Sequence, residues 1–130
     1  MAGRDVFLRS GLECVDAAPP SYELLATRLR KAPRPKFRTG WDETLREHAA
    51  GLTIIRSEQC PCIPKCTEDI LRACGELGIR PKVVELETGE QARRSPSGYG
   101  IFNVIHDGEV IAEHPIGGTR FLSIMRKRME

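Results

Sequence analysis

Apolar residues between positions 52 and 86 change from a strand-like run to a helical period and back. The short apolar run Leu52–Arg56 predicts a buried strand. A helix is predicted over 64–77, with Pro64 in its first turn and Gly78 after its end. The inward face of this helix carries Ile63, Ile70, Cys74 and Leu77, and Leu71 widens it. A second strand is predicted over 82–86, so we expect a right-handed parallel crossover.

The remainder of the chain predicts a hairpin and a final helix. Residues 87–94 fit a short helix or a loop. The apolar runs 99–106 and 109–115 flank Asp107-Gly108, a pair typical of a two-residue hairpin turn. Thr119 is expected to cap the last helix, whose inward face carries Phe121, Leu122 and Met125. The predicted order from residue 52 is therefore β-α-β-(α)-β-β-α, an α/β fold.

Upstream of this pattern, residues 31–50 are predicted to be a linker followed by a short helix. The helix spans 41–50, with Trp41, Leu45 and Ala49 four residues apart and Gly51 after its end. The linker begins in a basic stretch with two prolines, Pro33 and Pro35, and six cations: Arg28, Arg30, Lys31, Arg34, Lys36 and Arg38. This stretch either contacts a polyanion or is a solvated spacer, and we favour the spacer.

Residues 1–30 allow two interpretations of their second half. By propensity alone, 22–29 would be a helix with Ser21 as its N-cap, because Leu25 and Leu29 are four residues apart. A strand is the competing prediction.

Composition narrows the function classes. The chain has 130 residues and a net charge of +2, too small by itself to favour nucleic acid as a partner. No apolar run is long enough to span a bilayer, and no signal peptide is recognisable, so we expect a cytoplasmic protein. Five cysteines in a reducing compartment suggest metal binding or redox chemistry more than structural disulfides.

Three of the five cysteines lie within seven residues, at Cys60, Cys62 and Cys66, where the first strand ends and a helix begins. Backbone N–H groups at a helix start favour a thiolate, so Cys60 is the candidate reactive nucleophile. Cys62 is its candidate partner, and Cys66 is a second candidate. The spacing is Cys-x-Cys, because Ile63 stands where a Cys-x-x-Cys motif has its second cysteine.

The same three sulfurs could instead hold a soft metal ion such as Zn(II) or Cu(I). A fourth ligand is not evident. If residue 106 pairs with 109 and residue 101 with 114, His106 and His114 project to opposite faces of the hairpin and cannot both join one site.

The predicted element order is that of a minimal thioredoxin fold, and particular residues resemble one family. The stretch 51–61, the stretch 96–105 and Asp107-Gly108-Glu109 resemble the YoaP-like domain, a thioredoxin-like module found at the C-terminus of some GNAT-type N-acetyltransferases. This resemblance covers 51–130. It implies that Cys60 lies at a helix start and that a proline-bearing turn at 95–98 faces it. Pro61, Pro96 and Tyr99 would then contact a substrate or partner.

Residues 1–30 are similar to the end of a GNAT domain, with 6–16 as its last helix and penultimate strand. On this resemblance, 22–30 is extended, against its helical propensity. Such a remnant cannot bury its apolar face alone. We therefore expect 1–30 to pair with a second copy, to dock on the chain's own thioredoxin-like module, or to complete a separately encoded acetyltransferase half.

The sequence departs from the family at three places. It has no Gly-rich loop to cradle acetyl-CoA, so we expect no cofactor in this chain and no acetyl transfer by it alone, acetyl-CoA being implied only for a complete family member. Cys62 stands where the family is expected to have an aromatic residue, and Gly98 where it is expected to have a second proline. The expected function is an accessory thiol module of an acetyltransferase system. The alternatives are a non-catalytic docking domain and a soft-metal binder.

Overall fold

The chain divides into two units, Met1–Thr39 and Gly40–Glu130. The structure, a computed structural model, describes residues 2–19 and 21–130.

The first unit contains one helix and one β-hairpin. Its elements are α1 (Ala2–Arg9), β1 (Glu13–Ala18) and β2 (Tyr22–Ala26). The two strands pair antiparallel, with a register shift between Cys14 and Asp16. The helix predicted over 22–29 from propensity is therefore wrong, and the extended alternative is correct. Pairing with β1 supplies hydrogen bonds to the backbone of β2, which outweighs a weak local preference for helix.

The basic segment that follows β2 lies along β1. Arg34 pairs with Glu13 at 3.2 Å, and the N–H of Phe37 donates to the Asp16 carboxylate at 2.6 Å. These contacts tie the segment to the hairpin at two places, while its six cations remain exposed, as expected of a solvated spacer.

The second unit is a mixed α/β structure built on a four-stranded sheet. Its elements are α2 (Trp41–Arg46), β3 (Leu52–Arg56), α3 (Cys62–Leu77), β4 (Lys82–Glu85), α4 (Gly89–Arg93), β5 (Phe102–His106), β6 (Glu109–Ala112) and α5 (Gly118–Met129). The strand order is β4-β3-β5-β6. Strand β3 runs parallel to β4 and antiparallel to β5, and β5 pairs antiparallel with β6. The predicted parallel crossover and hairpin are both confirmed.

Both faces of the two central strands, β3 and β5, are buried. One face forms the main core with α3 and α5, through Leu52, Ile54, Ile63, Ile70, Cys74, Phe102, Val104, Phe121 and Met125. The other face presents Thr53, Ile55, Asn103 and Ile105, which are also buried. Residues of α2 and α4 lie with Ile55 around a cavity of about 170 Å³ on that side. This double coverage explains why Ile54 and Ile55, which face opposite sides of the sheet, are both apolar.

Several element boundaries differ from the predicted ones. Helix α2 ends at Arg46, earlier than expected, and α3 begins at Cys62 with Pro61 as its N-cap. Pro64 still falls in the first turn, where the N–H that proline lacks has no helical partner. Gly78 ends α3 in the left-handed conformation at φ 69°, as expected.

The start of α5 also corrects the prediction. Its N-cap is Gly117, with no side-chain cap, and Thr119 lies inside the helix. A Cβ at Gly118 would lie 3.0 Å from the carbonyl oxygen of Asp69 in α3. The helix therefore begins where a residue without a side chain allows close approach to α3, and no threonine cap is formed.

The hairpin turn has the predicted form, although the pairing beyond it shifts. Asp107 and Gly108 both have positive φ, at 50° and 78°, as a type I′ turn requires. His106 pairs with Glu109, but an irregularity then pairs Val104 with Ala112. The expected pairing of 101 with 114 is not formed, because the strands end at Phe102 and Ala112.

The same turn is tied to the connection between α2 and β3. The N–H of Gly51 donates to the Asp107 carboxylate at 2.8 Å, and the N–H of Asp107 donates to the Gly51 carbonyl at 2.9 Å. The N–H of Gly108 donates to the carbonyl of His48 at 3.0 Å. Helix α2 thus belongs with the sheet, whereas the sequence pattern grouped it with the linker.

Within residues 2–19 and 21–130, no helix combines the length and the apolar character needed to cross a bilayer.

Candidate thiol site

Cys60 lies in the short connection between the central strand β3 and helix α3. The ladder of β3 extends one residue past Arg56, because the N–H of Ser57 donates to the carbonyl of Ile101 at 3.0 Å. The chain then turns into α3, and the N–H of Ile63 donates to the carbonyl of Cys60 at 3.1 Å. Cys60 is partly buried against the main core, whereas Cys62, the first residue of α3, is exposed.

The sulfur atoms of Cys60 and Cys62 are 2.9 Å apart. The Cys62 thiol, placed to donate to Cys60, lowers the pKa of Cys60, and backbone N–H groups of Cys62 and Ile63 act in the same direction against the effect of burial. The pKa of Cys62 is raised by this hydrogen bond, by burial and by the charge of the neighbouring sulfurs. The arrangement thus favours a thiolate at Cys60 and a protonated thiol at Cys62.

Cys66 follows Cys62 by one helical turn and is half-buried. It contributes to raising the pKa of Cys62, so its sulfur lies near enough to act through its charge. Among the residues that the structure describes, no three His, Cys, Asp or Glu side chains are arranged to hold a metal ion. The structure therefore does not assemble the three-sulfur metal site of Cys60, Cys62 and Cys66 that the spacing allows.

His106 of the hairpin lies away from the cysteines. His106 pairs with Leu52, at the start of β3, whereas Cys60 follows the end of that strand. The Nδ1 atom of His106 accepts a hydrogen bond from Arg128 at 3.1 Å, and the side chain of His114 is exposed.

The segment carrying Pro96 and Tyr99 leads into β5 at the same end of the sheet as Cys60. The pairing of Arg56 with Phe102, followed by the bond from Ser57 to Ile101, brings the exit of β3 beside the entry to β5. Pro96 is buried, while Tyr99 is half-buried and packs against the same core as Cys60. Pro61 is exposed between the two close cysteines.

A buried polar network holds this segment, and the sequence pattern did not reveal it. The side-chain oxygen of Asn103 accepts from the Ser97 hydroxyl at 2.6 Å, and its amide nitrogen donates to the Ser95 hydroxyl at 2.6 Å. The only signal in the sequence is one amide inside the otherwise apolar stretch of β5, since buried polar groups usually have partners.

The fold and the paired cysteines define a mixed α/β protein with a candidate thiol site. The sequence profile of the YoaP-like family matches residues 82–122, which contain the segment with Pro96 and Tyr99 but not Cys60. The chain is also 24% identical over 127 residues to a curated Bacillus subtilis (strain 168) protein named "Uncharacterized N-acetyltransferase YoaP".

That alignment covers 96% of this chain and 50% of the relative, so the chain spans about half the length of the curated protein it matches. No solved structure matches the chain. The two sequence matches support a relationship to YoaP-like, acetyltransferase-related proteins.

Proposed function

We propose that Gly40–Glu130 is a thioredoxin-like thiol module of an acetyltransferase-related protein, with Cys60 as its reactive thiolate. The observation that carries the proposal is the 2.9 Å approach of the Cys60 and Cys62 sulfurs at the start of the 16-residue helix α3. A thiolate so placed is stabilised by one thiol donor and by backbone N–H groups.

The topology supports the thioredoxin-like part of the proposal. The strand order β4-β3-β5-β6 places the strand before Cys60 inside the sheet, parallel to one neighbour and antiparallel to the other. Helices α3 and α5 pack together on the main core face. A minimal thioredoxin fold has this order of elements, and the reactive cysteine of its thiol-active members follows the first strand.

The chemistry that we propose is thiol–disulfide exchange with a disulfide-bearing substrate. The Cys60 thiolate attacks one sulfur of the substrate, forms a mixed disulfide and releases the other substrate sulfur as a thiolate. Cys62 then loses its proton to solvent and attacks the Cys60 sulfur, which releases the remaining substrate thiolate. The substrate disulfide has gained two electrons, and the pair Cys60–Cys62 has lost them.

The test is alkylation of the whole chain with iodoacetamide between pH 5 and pH 10, read by peptide mass spectrometry. Cys74 is an internal reference, because burial raises its pKa to about 11. We expect Cys60 to react faster than Cys14, an exposed thiol of the hairpin, and the ratio of the two rates to grow as the pH falls. A Cys60 profile that coincides with that of Cys14, or a Cys60 that does not react, overturns the proposal.

A second candidate function is docking through residues 1–30. The motivating observation is that Val6 and Phe7 of α1 are 58% and 52% exposed, although both are large and apolar. A two-stranded sheet with one helix is too small to bury such residues by itself. We propose that this surface pairs with a second copy of the chain or completes a separately encoded acetyltransferase half.

Light scattering tests the self-pairing form of docking, and calorimetry tests whether the chain alone binds acetyl-CoA. Self-pairing predicts a dimer at micromolar concentration that Val6→Ser and Phe7→Ser together convert to a monomer, with Met129→Ser, a residue of the second unit that is as exposed as Val6, as the matched control. A monomer at all concentrations removes this form. For the chain alone we expect calorimetry to show no binding of acetyl-CoA.

We also propose that the protein is located in the cytoplasm.

A further inference from the structure

Asn103 is the most deeply buried polar side chain near the candidate thiol site, and both ends of its amide have partners. Its oxygen accepts from Ser97 and its nitrogen donates to Ser95, at 2.6 Å each. An amide can do both at once, whereas a carboxylate can only accept and an aliphatic side chain can do neither. The requirement for Asn at this position of β5 is therefore chemical as well as steric.

The network extends along the segment that enters β5. The Ser97 hydroxyl also accepts from the N–H of Tyr99 at 3.3 Å. One side chain thus fixes the residues before and after Pro96 and, through Ser97, the backbone at Tyr99. The segment itself has no helix or strand between Arg94 and Phe102, so these side-chain bonds replace the regular backbone pairing that would otherwise hold it.

We infer that Asn103 is a positioning residue for the thiol site, which acts by holding Pro96 and Tyr99 at the end of the sheet where Cys60 lies. This inference rests on the proposed function. A disulfide substrate must enter beside Cys60 along a wall formed by this segment, whereas a small alkylating reagent needs only the thiolate. Loss of the network should therefore affect the two reactions unequally.

The experiment compares four variants of the whole chain: Asn103→Ala, Ser97→Ala, the double variant Ser95→Ala with Ser97→Ala, and Ser57→Ala. Ser57 is the matched control, because it is 4% exposed against 7% for Ser97, and within the described residues its hydroxyl has no hydrogen-bond partner. The readouts are the rates at which Cys60 reacts with iodoacetamide and with oxidised glutathione at pH 7.

We expect the first three variants to react about tenfold more slowly with oxidised glutathione, since a misplaced positioning group can cost up to about 10²-fold in rate. Their iodoacetamide rates should match the parent chain, and Ser57→Ala should change neither rate. Amide NMR spectra identify the variants that keep the fold. The double serine variant leaves β5 unchanged, so it supplies the test if Asn103→Ala unfolds.

Equal glutathione rates for the folded double serine variant and the parent overturn the inference and leave the proposed function standing. An equal loss of rate with both reagents also overturns it, because that result places the effect on the thiolate and not on the approach of the substrate. A parent chain whose Cys60 reacts with neither reagent removes the proposed function and the inference with it.

Discussion

The two cysteines at the start of α3 differ in chemistry although a single residue separates them. The two sulfurs are 2.9 Å apart, and their interaction lowers the pKa of Cys60 and raises that of Cys62. A spacing of two across the junction of a loop and a helix places one sulfur at the helix start and the other just inside it. In the proposed function the pair therefore divides into a nucleophile, Cys60, and a donor, Cys62, without any other charged group.

Replacing Cys62 by Ala tests this division. The variant loses the thiol donor, so the pKa of Cys60 should rise towards that of an ordinary thiol. Alkylation of Cys60 should slow by a few-fold at pH 7, and the difference should vanish well above pH 8.5, roughly the ordinary thiol value. Cys66→Ala is the matched control, and a Cys62→Ala profile that overlays the parent would contradict the assignment.

Cys74 should make the stability of the fold sensitive to alkaline pH. Burial raises the pKa of its thiol to about 11, so the folded state holds this proton more tightly than the unfolded chain does. The stabilisation is complete below about pH 9 and is lost as the pH rises to about 11, by at most about 3 kcal/mol.

Urea unfolding at intervals between pH 8 and pH 11 measures this loss. Cys74→Val, which cannot ionise, should lose less stability across the same range. If the free energy of unfolding fell equally with pH in the parent chain and in Cys74→Val, ionisation of Cys74 would not be the cause of the loss.

The sequence indicated the position of Cys60 between a strand and a helix, but it did not indicate the hydrogen bonds of Asn103. The reason lies in the kind of structure around each residue. A strand followed by a helix specifies where Cys60 lies, because both elements are local patterns. The role of Asn103 depends on serines six and eight residues away in an irregular segment. An irregular segment has no hydrophobic periodicity in its sequence, so the partners of Asn103 could not be predicted from the sequence.

At the scale of the elements, helices α3 and α5 contact each other at Gly118, the first residue of α5. Gly118 allows the start of α5 to approach Asp69, whereas a Cβ at Gly75, on the exposed side of α3, would have no atom within 4 Å. Two chemically identical substitutions therefore have opposite expected effects.

Gly118→Ala should destabilise the fold by about 1–3 kcal/mol, because the added methyl group forces the two helices apart. Gly75→Ala should stabilise it by about 0.5–1 kcal/mol, because alanine loses less entropy in a helix. Thermal or urea unfolding of both variants checks the signs. A neutral Gly118→Ala would mean that the contact relaxes without cost.

Elements with a clear local sequence pattern were predicted well. Elements whose conformation or boundaries depend on contacts with other elements were not. Strand β3 and the Asp107-Gly108 turn follow from local chemistry. Strand β2 contradicts its helical propensity because it pairs with β1 across a short turn, a contact that the residues of β2 alone do not specify, and the resemblance to a known family favoured the strand. The cap of α5 was misplaced because packing at Gly118, and not capping chemistry, determines where the helix begins.

For the whole molecule, the contacts around the hairpin turn define where the second unit begins. Helix α2 is bound through the Thr44 hydroxyl to the carbonyl of Arg94 at 3.1 Å, and the chain just after it is bound through the His48 carbonyl to the N–H of Gly108 at 3.0 Å. It also lines the cavity on the second face of the sheet. A fragment that starts at 51, the boundary taken from the sequence, lacks all of these contacts.

Two truncations test this boundary. The fragment 40–130 should unfold cooperatively and keep the alkylation profile of Cys60. The fragment 51–130 should be less stable by roughly 1–3 kcal/mol, since removing α2 leaves backbone groups and one sheet face without their partners. Urea unfolding of both fragments measures the difference, and equal midpoints would show that α2 contributes nothing to the second unit.

In the proposed thiol chemistry, the bond from the Ile63 N–H to the Cys60 carbonyl couples oxidation to the geometry of the first turn of α3. A covalent link between residues 60 and 62 encloses so small a ring that the backbone between them must twist, and the twist reaches the amide of Ile63. The reduced and oxidised proteins should therefore differ in the chemical shift and hydrogen-exchange rate of that amide. The oxidation state of Cys60 and Cys62 can thus be followed by NMR of the backbone amide, with no label on either sulfur.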